Sequence, residues 1–162
     1  MQTLGLCLWY DNQAEEAAKL YTALFKNSKI TNIARYDDAG AQVAGKPKGS
    51  VMTVNLQING MDFTALNGGP IFKFTEANSI MVNCDTQDEV DTLWNGLTKD
   101  GGEEGQCGWL KDKFGVSWQI IPKEFGVLMS DPDPIKTGRV MQAMLQMKKL
   151  DVAGLRRAYE GK

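Results

Sequence analysis

Apolar residues recur at every second position in two short stretches of the chain, around 6–10 and 80–84. This period of two predicts strands that place one face on a core. Each stretch precedes a segment with the period of an amphipathic helix. The buried stripes of these helices are predicted to be Ala14, Ala17, Tyr21, Leu24 and Phe25 in the first, and Val90, Leu93, Trp94 and Leu97 in the second.

The two strand and helix segments are related by an internal repeat. A fixed shift of 74 residues superimposes Asp11 on Asp85, Gln13 on Gln87 and Glu15 on Glu89. Thr86 and Glu89 have the spacing of a capping box, and Asn12 and Glu15 hold the same places in the first copy. The chain is therefore predicted to contain two copies of one α/β module.

Further strand-like segments follow each predicted helix. They cover residues 30–36, 51–58 and 63–66 in copy one, and 105–110 and 116–121 in copy two. Asn59-Gly60 predicts a tight hairpin, with Phe114-Gly115 as its counterpart. The glycine-containing and proline-containing segment 37–50 is expected to be the least ordered part of the chain, a candidate mobile flap.

Beyond Pro122 the pattern becomes helical, with a first helix that carries three methionines at helical spacing and a short second one starting at Asp151. Such methionines are typical of ordinary packing, and a subunit interface or a partner-binding surface are the alternatives. From Lys136 onward, seven basic and two acidic residues give a local charge of +5 in a chain of net charge −2. This basic tail is expected to dock on its own molecule or on a second copy.

Composition excludes several classes of function. The net charge of −2 argues against nucleic-acid binding. No apolar run approaches the roughly 20 residues of a membrane span, and the N-terminus lacks a basic leader, so we expect a cytoplasmic protein without membrane partners. Three cysteines without a CxxC pair predict reduced thiols, with neither a disulfide framework nor a zinc site.

Several motifs together resemble one known family. They are Cys7-Leu8-Trp9-Tyr10-Asp11, Ala14-Glu15-Glu16-Ala17, Leu66-Asn67-Gly68-Gly69-Pro70, Cys107-Gly108-Trp109, and the run from Asp112 to Gln119. The chain is thereby similar, over nearly its whole length including the Met-rich helix, to the PhnB-like group of the vicinal oxygen chelate superfamily. Members of that group are often labelled 3-demethylubiquinone-9 3-methyltransferase.

The resemblance implies an α+β fold of two βαβββ modules, residues 1–74 and 75–122, followed by a C-terminal helical extension, residues 123–162. Each module would curl a four-stranded sheet around a cavity, as in glyoxalases and bleomycin-resistance proteins, and the protein would be a homodimer. The superfamily includes both enzymes and simple binding proteins, so the fold alone implies no activity.

Metal-binding relatives place His or Glu at four points that the resemblance maps to Gly5, Thr64, Ser79 and Gln119. A divalent ion needs several imidazole or carboxylate donors, whereas these positions offer at best one weak amide ligand, and the chain contains no histidine. We therefore predict no metal and no other cofactor. The missing histidine also removes the usual general base and the triads built on it.

Strand alternation predicts which side chains face the cavity. The candidate ligand-binding residues combine two indoles with hydroxyl, amide, carboxyl and thiol groups: Trp9, Asp62, Thr64, Asn67, Cys107, Trp109, Ser117 and Gln119. Trp94 and Trp118 are expected to pack the core. Cys107, with Lys111 and Lys113 nearby in sequence, is the candidate nucleophile.

The hypothesis that follows is a metal-free protein binding a small organic molecule between its modules or across a subunit interface. One alternative is an enzyme of unknown reaction that uses Asp62 or Cys107. Another is the methyltransferase of the family label, although no glycine-rich turn joins a strand to a helix as S-adenosylmethionine sites usually require. A third is an assembly module that presents its Met-rich tail to a partner.

Overall fold

The alternating apolar residues of the first copy form strands of one sheet in the computed structural model, which describes residues 2–162. The first of two compact units is Met1–Phe74. Its elements in chain order are β1 (Gly5–Tyr10), α1 (Ala14–Leu24), β2 (Ser28–Arg35), α2 (Asp38–Ala44), β3 (Val51–Ile58) and β4 (Met61–Asn67). The strands lie in the order β1-β4-β3-β2, and the pair β1 and β4 is parallel.

The second unit, Thr75–Lys162, repeats this topology and adds three helices. It contains β5 (Ile80–Cys84), α3 (Gln87–Thr98), β6 (Glu103–Glu104), β7 (Trp109–Lys111), β8 (Ser117–Pro122), α4 (Lys123–Met129), α5 (Pro134–Leu145) and α6 (Val152–Glu160). Its strand order, β5-β8-β7-β6, is that of the first unit, and β5 and β8 are again parallel. The α+β fold of two βαβββ modules is confirmed, and each sheet is an open four-stranded sheet.

The predicted helix stripes pack against the sheets. In α1 the buried residues are the small Ala14, Ala17 and Ala18 with Tyr21, and in α3 they are Val90, Leu93, Trp94 and Leu97. Trp94 and Trp118 are 1% and 0% exposed, so the prediction that both pack the core is confirmed.

The two module helices begin differently, although the repeat predicted the same start. Thr86 Oγ1 accepts from the Glu89 backbone N–H at 3.2 Å, while the Glu89 carboxylate accepts from the Asp85 N–H at 2.8 Å. In α1 the predicted cap by Asn12 and Glu15 is wrong, because the Ala14 N–H instead donates to Asn67 Oδ1 at 2.8 Å. The end of β4 thus supplies the cap for α1.

The segment 37–50 is more regular than its composition suggested. Residues Asp38–Ala44 form α2, and the Asp37 side chain caps this helix by accepting from the Gly40 N–H at 2.7 Å. After the helix, Lys46 Nζ donates to the Asp11 backbone carbonyl at 2.7 Å and lies 3.0 Å from its carboxylate. An aspartate cap and this lysine contact define a short helix where an irregular flap was expected.

The three terminal helices share a small core of their own. Leu128, Val140 and Leu155 are its buried centre, and Met144 and Met147 pack against it. Met141 is 37% exposed. Packing therefore explains two of the three methionines of the tail. No helix in residues 2–162 is long and apolar enough to span a bilayer.

Main-chain hydrogen bonds attach these helices to the second module. The Cys107 and Gly108 N–H groups donate to the carbonyls of Met147 and Lys148 at 2.7 and 2.8 Å. The side-chain amide of Gln87 makes two further bonds to the tail. It donates to the Leu150 carbonyl at 3.1 Å and accepts from the Val152 N–H at 2.9 Å.

Basic residues of the tail pair with acids of the same unit. Lys149 lies 2.7 Å from Asp91, Lys148 3.6 Å from Glu104, and Arg156 2.8 Å from Glu124. The positive charge of the tail is thus partly neutralised within its own unit.

Candidate functional site

One face of the first sheet carries polar side chains, while the other is buried beneath α1. Residues paired across neighbouring strands share a face, and the register aligns Gly5 with Asp62, Cys7 with Thr64 and Trp9 with Leu66. The alternate residues Leu8 and Phe63 are only 6% and 3% exposed and belong to the core. Asp62 and Thr64 therefore stand on the open face.

Two side-chain hydrogen bonds lie on this open face. Gln57 Nε2 donates to Asp62 Oδ1 at 2.8 Å, and Thr64 Oγ1 donates to Asn55 Oδ1 at 3.1 Å. Sequence reasoning missed Asn55 and Gln57. The register imposed by the Asn59-Gly60 hairpin was the signal that pointed to them, since it pairs Asn55 with Thr64 and Gln57 with Asp62.

Trp9 is held in place by the loop that follows β4. Its indole N–H donates to the Gly69 carbonyl at 2.8 Å, and its ring meets the Phe72 ring edge to face at 5.0 Å. A Cβ on Gly68 would lie 2.1 Å from the indole, so the ring rests directly on that glycine. The Leu66–Pro70 motif thus fixes a half-buried indole beside the open face.

Asn67, a predicted ligand-binding residue, connects elements within the first unit. It is 6% exposed, its Oδ1 caps α1, and its Nδ2 donates to the Val51 carbonyl at 3.0 Å. Its backbone carbonyl also accepts from the Tyr36 hydroxyl at 2.6 Å. These contacts give its side chain a structural role, and both ends of the amide are already engaged.

The open face of the second sheet carries the remaining candidates. Trp109 is paired with Gln119, and Lys111 with Ser117. Gln119 Nε2 donates to Ser79 Oγ at 2.7 Å, so two of the positions that correspond to metal ligands in relatives are bonded to each other.

Beside these residues lies a pocket of about 150 Å³. The polar and aromatic residues of its lining are Glu76, Glu103, Glu104, Trp109, Lys111 and Ser117. Ser117 is 2% exposed, and within residues 2–162 its hydroxyl is the buried side-chain polar atom that lacks a hydrogen-bond partner. Buried polar groups are almost always bonded, so this hydroxyl calls for an explanation.

Ion pairs surround the pocket. Lys111 Nζ lies 2.8 Å from Glu76 and 3.3 Å from Glu103. The hydrogen bond with Lys111 lowers the pKa of Glu76, and the same bond raises the pKa of Lys111. The pKa of Glu104 is lowered because the Trp94 indole N–H donates to its carboxylate at 2.9 Å. Glu76, Glu104 and Lys111 are therefore charged at neutral pH.

Cys107 has a different environment from the one its sequence neighbours suggested. Lys111 pairs with Glu76 and Glu103, and Lys113 lies over the Phe114 ring at 5.1 Å. The backbone of Cys107 has a positive φ of 58° and donates to the tail. The geometry gives this residue an anchoring role for the terminal helices.

Asp112 is a buried acid whose importance sequence reasoning missed. Only 3% exposed, it accepts from the N–H groups of Phe114 and Val116 at 2.9 and 3.0 Å, and from the Trp118 indole at 2.9 Å. Its carboxylate therefore shapes the turn before β8. The signal was the single acid at the start of the family motif that runs from Asp112 to Gln119.

The donor set does not fit a divalent metal ion at the four positions to which the family resemblance maps metal ligands. Gly5 has no side chain, the Thr64 hydroxyl is bonded to an amide, and Ser79 and Gln119 are bonded to each other. Across residues 2–162 no group of three His, Cys, Asp or Glu side chains converges. Hydroxyls and amides are poor ligands for transition metals.

The duplicated βαβββ topology and these open sheet faces define a fold like that of glyoxalases and bleomycin-resistance proteins. The chain belongs to the 3-demethylubiquinone-9 3-methyltransferase family, whose sequence profile matches residues 2–121. The profile ends before α4, so family membership is shown for the paired modules rather than for the Met-rich tail.

Solved structures agree with this assignment. The PhnB protein from Bacillus cereus, provisionally named a 3-demethylubiquinone-9 3-methyltransferase, has 34% identity and a TM-score of 0.66, with 75% of this chain and 99% of that one covered. A protein from Pseudomonas aeruginosa has 20% identity and a TM-score of 0.61 over 75% and 98% of the two chains.

A more distant likeness connects the fold to an antibiotic-resistance protein. A mutant of the fosfomycin resistance protein FosX from Listeria monocytogenes, complexed with Mn(II) and 1S,2S-dihydroxypropylphosphonic acid, has 16% identity and a TM-score of 0.52 over 75% and 92% of the chains. At this identity the likeness concerns the fold alone. No curated protein matches the chain.

Proposed function

We propose that this chain is a metal-free protein that binds a small organic molecule on the open faces of its βαβββ sheets. The observation that carries the proposal is the pocket beside Trp109, where the buried Ser117 hydroxyl has no partner within residues 2–162. A concave, partly aromatic surface with a few polar groups is the usual form of a small-molecule site. A ligand would supply the hydrogen bond that the protein does not.

The chemistry of the donors supports binding without a metal. FosX is described in complex with Mn(II), but it shares only the fold with this chain. Here Thr64, Ser79 and Gln119 engage hydroxyls and amides instead of offering carboxylates or imidazoles. Recruiting an ion would require breaking these bonds in exchange for weak ligands.

The family name suggests methyl transfer, but the local structure favours binding. The turns between β1 and α1 and between β5 and α3, residues 11–13 and 85–86, contain no glycine. A nucleotide-type donor such as S-adenosylmethionine is usually held by a glycine-rich turn at the start of a helix. Titration calorimetry with S-adenosylmethionine should therefore give no binding heat, and a micromolar affinity would favour the methyltransferase.

The decisive experiment is native mass spectrometry of the protein isolated from its own cells. We expect an organic mass in excess of the chain and no stoichiometric divalent ion. Thr64→Val and Ser117→Ala should each reduce the fraction of protein that retains the ligand. The control is Thr22→Val in α1, which should leave that fraction unchanged because this hydroxyl bonds only to helix carbonyls. One tightly held zinc, nickel, iron or manganese ion per chain would contradict the proposal.

The same measurement tests the assembly state. Family resemblance predicts a homodimer, and a monomeric mass at working concentration would contradict that expectation.

A further inference from the structure

The pocket beside β7 and β8 carries more negative than positive charge. On the pocket side of the sheet, Glu76 and Glu103 are acidic and Lys111 is basic, a local charge of −1. We propose that this pocket binds a small organic cation, an ammonium group carried on a compact apolar body. This inference rests on the proposed binding function and gives it a ligand class.

The pairing of Lys111 leaves the acidic residues able to accept further bonds. Lys111 Nζ contacts one oxygen of Glu76 and one of Glu103, and the two carboxyl side chains are 62% and 72% exposed. An ionised carboxylate has about four acceptor positions, so neither is saturated by one ammonium group. A second ammonium can approach the same pair from solvent.

The Glu104 carboxylate lies on the other face of this sheet. Glu104 is paired with the buried Leu110, and its Oε1 accepts from the indole N–H of Trp94 in α3 at 2.9 Å. The acidic groups on the pocket side are therefore those of Glu76 and Glu103. An anionic ligand would meet repulsion from these two carboxylates.

Ser117 and Trp109 supply the short-range contacts. The Ser117 hydroxyl is buried, lines the pocket and lacks a partner within residues 2–162, so its oxygen can accept an N–H from a ligand. Trp109 lines the same pocket, and indole faces attract cations better than other aromatic rings do. Hydroxyl, indole and carboxylates together match an ammonium group attached to a small apolar body.

The volume of the pocket indicates the size of the ligand's apolar part. The pocket has about 150 Å³, the size of cavity known to take up benzene. A nucleoside cofactor or a prenylated quinone is much larger. The ligand portion bound here is therefore about the size of one ring.

Three ring-sized probes separate charge from shape: benzylamine as the cation, benzyl alcohol as the neutral analogue and benzoate as the anion. Each is titrated into the full-length protein, and binding is followed by the NMR shift of the Trp109 indole N–H, assigned with Trp109→Phe. We expect benzylamine to bind about tenfold more tightly than benzyl alcohol, from one exposed charge interaction plus a cation–π contact. Benzoate should bind most weakly.

Variants test the individual contacts. Glu103→Gln should weaken benzylamine about threefold, as for an exposed ion pair, and Ser117→Ala about fivefold, as for one hydrogen bond. Glu160→Gln is the matched control, because this exposed acid in α6 pairs with Lys162 and does not line the pocket. It should leave the affinity unchanged, and thermal unfolding establishes that each variant is folded.

Two results would overturn the inference in distinguishable ways. If benzyl alcohol or benzoate binds as tightly as benzylamine, the ligand class is wrong while the binding function stands. If no probe shifts the Trp109 signal, the pocket is not a cation site, and the broader function is then judged by the mass of retained ligand alone.

Discussion

Gly68→Ala is the change that most directly tests the arrangement of Trp9 in the first unit. An added Cβ would lie 2.1 Å from indole Cζ2 and 2.4 Å from Cε2, far inside ordinary contact. These are ring atoms in the middle of a fixed side chain, so a small bond rotation cannot relieve the overlap. Either the indole or the loop after β4 has to move by more than an ångström.

The cost can be worked from the contacts that such a movement breaks. The bond from Trp9 to the Gly69 carbonyl contributes about 1 kcal/mol, and the edge-to-face contact with Phe72 about 0.5–1.5 kcal/mol. Residual overpacking destabilises the folded state by about a further 1 kcal/mol. The lower entropy of the unfolded chain offsets about 0.5 kcal/mol of this loss. We expect the free energy of unfolding to fall by about 2–3 kcal/mol.

Urea unfolding followed by far-ultraviolet circular dichroism measures this change. Gly138→Ala is the matched control, because its Cβ would meet no atom within 4 Å in the middle of α5. That control should be neutral or stabilise by up to about 1 kcal/mol. The effect of Gly68→Ala should largely vanish in a Trp9→Leu background. The reasoning would be refuted if Gly68→Ala unfolded at the same urea concentration as wild type. It would also be refuted if Gly68→Ala lost as much stability in the Trp9→Leu background.

Three further outcomes are expected. Asp112→Ala should lower the unfolding free energy by about 3–4 kcal/mol in urea titrations, because three donors, two of them buried, lose their acceptor. Cys84 should resist alkylation at about pH 8, as followed by intact mass, because burial and nearby acids raise its pKa to about 11, while the exposed Cys7 reacts first. The Tyr159 hydrogen bond lowers the pKa of Asp131, so its stabilisation is present above the unfolded pKa of about 3.9 and is lost as the pH falls through the folded pKa. The melting temperatures of Tyr159→Phe and wild type should therefore differ at neutral pH, and the difference should shrink as the pH is lowered into the acid range.

The topology was predictable because it depends on local periodicity and on a repeat. The shift of 74 residues relates β1 and α1 to β5 and α3, and both sheets then have the same strand order. The Asn59-Gly60 turn is equally local, since both residues have positive φ, at 48° and 85°, as a tight hairpin requires. Such features are determined by neighbouring residues, which a single sequence displays.

The roles of Asn67 and Cys107 were not predictable in the same way. Both were assigned to a ligand site from strand alternation and family motifs, but their partners lie 53 residues before and 40 residues after them, at Ala14 and Met147. A side chain at the end of a strand can face a cavity or cap a distant helix, and only the tertiary packing decides. Asn67 caps α1, and the backbone of Cys107 anchors the terminal helices.

The side chains of the pocket in the second module have equivalents in the first. In the first, Asp62 is paired across the strands with Gln57, and the two side chains bond to each other on an exposed face. In the second, Ser117 takes the place of the acid and Lys111 that of the amide.

This exchange alters what each side chain can reach. Serine is too short to follow the long lysine chain, whose ammonium turns to Glu76 and Glu103 instead. The hydroxyl is then left buried without a partner within residues 2–162, beside a pocket that Glu76 and Glu103 also line. The hydrogen-bonded pair of the first module is thus replaced in the second by two groups with separate environments. Lys111→Gln should therefore strengthen benzylamine binding, because it removes the competing ammonium from Glu76 and Glu103, whereas unchanged or weaker binding would contradict this account.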